Sequence, residues 1–234
     1  MHETDLRGQD QTSAFHFPQD VKRQEDHHPA VLRIVAHLFS IVFHPLFIPA
    51  YVAAYLIYIH PYAFANFDEK AKALRLISVV LLTAFFPAFT VFLLKRLGFA
   101  DSVHLRTQKE RIIPYVSSMF YFFWTFYVSK NLPSTPPLFT TMLLGVFIAS
   151  IGALMANIYY KVSMHGIAMG GMFAFFLVLA LLGSTPVTIY LTIAILISGM
   201  VCTARLIISD HFPFDVYSGF LIGVISQTLA IFFV

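Results

Sequence analysis

The chain has 234 residues, of which 58% are hydrophobic and 12% charged, against roughly 25% charged in an ordinary soluble domain. That apolarity excludes a water-soluble globule, and the hydrophobic runs leave no stretch for a separate soluble domain. A lone cysteine, Cys202, excludes an intrachain disulfide and a cysteine-based metal site, and the net charge of +3 fits membrane topology and an anionic ligand better than nucleic acid.

Residues 1–30 are polar and mixed in charge, and read as a mobile tail ahead of a membrane-embedded domain over 31–234. Stretches without Asp, Glu, Lys or Arg then cover 34–67, 76–94, 112–129, 131–160, 162–204 and 216–234. A helix needs about 20 residues to cross a bilayer. The 43 residues of 162–204 are too many for one crossing, and Gly183-Ser184-Thr185-Pro186 divides them into a helical hairpin. The expected fold is therefore an all-α, polytopic membrane helix bundle with six or seven transmembrane helices. The spans fall near 38–60, 75–96, 112–130, 138–159, 164–182, 186–207 and 214–233. Pro45 and Pro49 interrupt the first, so residues 30–43 are alternatively an amphipathic entry helix in the interface. Pro114 is expected in the first turn of the third span, where its missing N–H costs nothing. Gly166, Gly170 and Gly171 in the fifth span, with Gly219 and Gly223 in the seventh, make small-residue faces suited to close helix packing within the bundle, with dimerisation as the alternative.

Parity puts the segments preceding spans three, five and seven on one membrane face, and the unusual polar residues collect there. Arg106, Lys109 and Arg111 lead into span three. Lys161, Ser163 and His165 open span five. Arg205 ends span six, and His211, Pro213 and Asp215 open span seven. Helix N-termini offer unpaired N–H groups and the positive end of the macrodipole, which favour anions. Added cations and histidines make a pocket suited to a phosphate at the membrane surface. His211 and Asp215 are four apart and can share a helix face, so that the carboxylate orients the imidazole as a nucleophile. Each group also has a plain structural role open to it: juxtamembrane charge for the basic cluster, a helix N-cap for Ser163, and a dipole-complementing acid for Asp215.

The order of these groups resembles the type 2 phosphatidic acid phosphatase superfamily over about residues 104–220. Arg205, His211 and Asp215 match its third motif at every defined spacing, with Ala204 in place of the leading Ser. Ser163 and His165 match the second motif, with Met164 and Val162 replacing its Gly and Pro. The first motif is degenerate: His104 stands where its Lys belongs, and Pro114 follows Arg111 by three residues instead of one. The resemblance implies that His211 attacks phosphorus to form a phosphohistidine, oriented by Asp215. His165 would protonate the leaving group and then activate water. Arg205, Ser163 and the Arg106, Lys109 and Arg111 cluster would hold the phosphate oxygens. It implies no cofactor and no metal.

The expected activity is thus metal-independent hydrolysis of a lipid phosphate or diphosphate, with the lipid tail entering sideways between helices. The alternatives on the same bundle are a non-catalytic lipid-phosphate binder or transporter, and a lipid phosphotransferase. The partners are the lipid substrate and membrane lipids, with no nucleic acid. The expected location is a bacterial inner (cytoplasmic) membrane. Lys and Arg number 11 on the site face and 4 on the other, but without Arg106, Lys109, Arg111, Lys161 and Arg205, which can be there for phosphate, only 6 face 4, which leaves the side of the active site open.

Overall fold

The computed structural model describes residues 29–98, 108–183, 185–208 and 212–233, and among them the chain is helical with no strand. The N-terminal tail up to residue 28 lies outside the described residues. Eight helices follow in order: α1 (Ala30–Val42), α2 (Ile48–Ile59), α3 (Glu69–Arg96), α4 (Gln108–Asn131), α5 (Pro137–Tyr159), α6 (Met164–Leu182), α7 (Thr188–Ile207) and α8 (Pro213–Phe233). Five of them, α3 and α5 to α8, are long and apolar enough to cross a membrane. Their outer faces carry exposed Ile77, Phe89, Ile193, Leu196, Leu221 and Leu229, which water would penalise and lipid does not. The protein is an all-α membrane helix bundle.

The first run is not one continuous span. The residue before a proline is disfavoured in helical conformation, and Pro45 itself has no N–H to donate. The chain accordingly leaves α1 at Phe43, turns through 44–47 and restarts as α2, whose 12 residues reach about 18 Å. Helix α3 starts earlier than the hydrophobicity suggested, because Asp68 caps it by accepting the Ala71 N–H at 2.6 Å. Inside α3, Pro87 cannot donate to the carbonyl four residues back. The helix widens into a π-turn over Leu81–Phe85, closed by the Phe86 N–H on Leu81 O. Pro114 differs from expectation: α4 begins at Gln108, so this proline lies inside the helix and not in its first turn.

The hairpin expected from 162–204 is present as α6 and α7. Helix α8 returns between α5 and α6, and α6 and α8 pack against each other more extensively than any other pair of the described helices. Their glycines face each other. A Cβ on Gly170 would collide with Phe220 O, and one on Gly223 with Ile167 O, so only backbone fits where these helices cross. A central apolar cluster, including Leu56, Phe64, Phe139, Leu143 and Met169, joins α2, α5 and α6. Helix α1 lies outermost, packed along α7.

Candidate functional site

The close α6–α8 crossing brings two sequence-distant segments together at one end of the bundle. Ser163 is extended and fully buried, and caps α6 by accepting the Gly166 N–H at Oγ (3.3 Å). Its own N–H donates to Asp215 O at 3.1 Å, in the first turn of α8. Gly219 makes this possible, since a Cβ there would sit 2.7 Å from Ser163 O. Asp215 is buried, and its Oδ2 accepts the Phe212 N–H at 3.0 Å, closing the N-terminus of its own helix. Ser163 and Asp215 thus each fill the helix-capping role open to them, at adjoining helix starts. A carboxylate has two oxygens, so capping through Oδ2 is compatible with orienting a neighbouring imidazole through the other.

His165 stands in the first turn of α6, with its Nε2 3.0 Å from Ser40 O near the end of α1. A carbonyl only accepts, so Nε2 carries a proton. In the neutral ring Nδ1 is then the basic nitrogen, and in the cation it is a second donor. Arg205 occupies the last turn of α7, where a cation also complements the carbonyl end of the helix. Arg111 lies at the start of α4, with its guanidinium in electrostatic reach of the buried Tyr115 hydroxyl one turn on. His211 and Arg106 lie outside the described residues, and for Lys109 only the helical backbone is described.

A further residue joins the site that the motif pattern did not include. His44, in the turn between α1 and α2, sets its ring edge-on to His165, with centroids 5.6 Å apart and planes 80° apart. Crowding by the protein, and then the positive Arg205 nearby, hold its imidazole below the ordinary histidine range. Its signal in the sequence was an ionisable residue beside a proline in a run otherwise apolar enough for membrane depth.

Apolar space adjoins this polar cluster. A groove of about 530 Å³ runs between α1 and α7, lined by residues such as Val35, Phe39, Leu196, Gly199 and Ala204. Ala204 neighbours Arg205, and Phe39 neighbours the Ser40 whose carbonyl engages His165. Around Gly199 the groove is open, with no atom beyond its own stretch of helix within 4 Å of where a Cβ would stand. A smaller cavity of about 80 Å³ lies among Leu46, Met164, Ile167 and Phe175, with Gln227 and Ser150 as its polar lining.

No protein-family model, curated protein or solved structure matches the chain. The site is therefore read from its own residues: an arginine, two histidines and two capped helix starts, gathered at one end of an apolar bundle. That combination can hold an anion, move a proton and seat a hydrocarbon chain beside both.

Proposed function

We propose that the chain is an integral membrane phosphatase of the type 2 phosphatidic acid phosphatase kind, hydrolysing a lipid phosphate or diphosphate without a metal. The observation that carries this reading is the Ser163–Asp215 hydrogen bond, with His165 close by on α6, Arg205 at the end of α7 and an apolar groove alongside. Residues that resemble two separate motifs of that family meet where a headgroup and a tail would both find partners.

In this mechanism His211 attacks phosphorus in line with the leaving group, forming an N–P bond as the P–O bond to the lipid breaks. His165 gives a proton to the departing oxygen and then takes one from the water that cleaves the phosphohistidine. Arg205 offsets the charge spread over the equatorial oxygens. Asp215 orients His211 while capping α8. The hydrocarbon chain lies in the groove between α1 and α7, which keeps it in an apolar surrounding while the headgroup reaches Arg205.

The test is phosphate release from a panel of lipid phosphates by the purified protein in detergent, with EDTA present and His211→Ala alongside. Release by the wild type and not by the variant is expected. A second reading, a lipid-phosphate binder without turnover, draws support from Asp215, whose carboxylate already serves its own helix. Binding of the same lipids with no release by folded wild-type protein would decide for it. Release only when a second acceptor lipid or sugar is supplied would mark a phosphotransferase.

A further inference from the structure

We propose that His44 is a phosphate ligand of this site, donating its Nε2–H to a phosphate oxygen as a neutral imidazole. The proposal rests on the site taking a phosphate group, whether or not turnover follows. Four observations carry it.

The first is convergence. His44 comes from the turn between α1 and α2 and His165 from the start of α6, and their rings meet at the end of the bundle where α7 brings Arg205, whose charge is felt at His44. The second is how the turn is held. Tyr51 donates its hydroxyl to Val42 O at 2.8 Å, on the near side of the turn. The Phe47 N–H closes on His44 O at 2.9 Å, and Thr83, in the π-turn of α3, reaches Leu46 O at 3.5 Å. A hydrogen bond between the flanking helices and one within the turn thus hold the segment that bears this ring, and the Thr83 hydroxyl, which gives its proton to Val79 O at 2.9 Å, stands against it.

The third observation is the tautomer. The Leu46 N–H points at His44 Nδ1, 3.4 Å away, and an amide N–H needs an acceptor. Nδ1 is then unprotonated, and the ring's proton sits on Nε2. The fourth is access: protein atoms crowd the ring, but His44 as a residue is solvent-exposed, which leaves a ligand a way to it. A neutral donor also suits its neighbours. Arg205 disfavours a second positive charge beside it, and a phosphate presents more oxygens than one guanidinium can satisfy. An imidazole kept neutral supplies a hydrogen bond without adding repulsion between cations.

The competing explanation is aromatic packing alone, since the His44 ring also meets Phe47 at 6.1 Å. Two substitutions separate these. His44→Phe keeps an aromatic ring and removes the donor; His44→Gln removes the ring and keeps an amide N–H near the place of Nε2. Binding of inorganic phosphate, and separately of dihexanoyl phosphatidic acid, is measured on the full chain in detergent. The expected result is about tenfold weaker binding in His44→Phe, in line with loss of one hydrogen bond to a charged group, and binding within about threefold of wild type in His44→Gln. Weakening with the lipid alone identifies a headgroup site, and with both probes a general phosphate site. Equal binding by His44→Phe and wild type, or an equal loss in both variants, overturns the proposal. A wild type that binds neither probe overturns the reading of the site as well. Where His44→Phe does not fold, 15N-histidine NMR of the wild type decides: a phosphate-dependent shift of the His44 Nε2–H resonance supports the proposal, and an unmoved one refutes it.

Discussion

The α6–α8 pair and the N-terminal segment α1–α3 solve the same problem in opposite ways. Both must deliver polar residues to one end of an apolar bundle. The α6–α8 pair does it by backbone contact: Gly166, Gly170, Gly219 and Gly223 let the helices approach until Ser163 bonds to Asp215 directly. The N-terminal segment does it by interruption. Pro45 breaks the first run and Pro87 widens α3 into a π-turn, and the turn carrying His44 is held by a single side-chain hydrogen bond from Tyr51, with the Thr83 hydroxyl in looser contact. Close packing of small residues is rigid and fails all at once. A hydrogen-bonded turn on an outer helix adjusts, which suits a group that meets a ligand.

The largest effect is expected at Gly170. Leucine there must displace Phe220 backbone, which cannot yield without separating α6 from α8. Overpacking typically costs about 1–3 kcal/mol, and a clash with backbone belongs at or above the top of that range. Thermal unfolding in detergent should show a much lower midpoint or no folded protein, and a wild-type midpoint would show that the helices are not in contact.

Gly199→Leu makes the opposite demand. Its Cβ enters open groove, so the midpoint should stay near wild type. Turnover of a long-chain lipid phosphate should fall about tenfold, equivalent to about 1.4 kcal/mol, while that of a short-chain analogue is retained. An equal fall for both substrates would remove the tail from this groove.

A pH effect is expected at the other end of the bundle. In the turn after α2, His60 Nδ1 accepts the N–H groups of Tyr62 (3.3 Å) and Ala63 (3.1 Å), and burial lowers its affinity for a proton. With the folded pKa below the unfolded value of about 6.5, the unfolded chain binds the extra proton first. This contribution to stability is present above pH 6.5 or so and is lost as the pH falls from there through the lower folded value. Unfolding midpoints at pH 7.5 and pH 5 should differ less in His60→Asn, which keeps an acceptor and does not titrate, than in wild type.

Thr83→Val should have the smallest effect. It removes the hydroxyl that reaches Val79 O and, more distantly, Leu46 O. A stability loss of about 0.5–1.5 kcal/mol is expected for a hydrogen bond of this kind, accompanied by a larger change in the His44 resonance than in that of His165. The reverse pattern would mean that the α6 end is the adaptable one.

Sequence alone determined the all-α membrane architecture, because runs of Phe, Leu and Ile bounded by charge tolerate only helices in lipid. It also determined the break at Gly183 to Pro186 and the two small-residue faces of α6 and α8, since both follow from local geometry and side-chain size; that the two faces meet each other came from the packing. For the site it showed Ser163, His165, Arg205 and Asp215 as a group on one face, by parity of the spans. Tertiary structure decided the rest. Nothing local to Asp215 tells that its carbonyl holds Ser163, because that bond spans two helices whose separation is set by Gly219. Nothing local to His44 tells that its ring faces His165, more than a hundred residues on. The same letters fit a continuous span or a break, and the choice depends on what the turn packs against: Tyr51 and Thr83 on one side, and the start of α6 on the other. Periodicity and spacing report which face a residue takes on its own helix; which residue of another helix it meets is decided only when the helices pack.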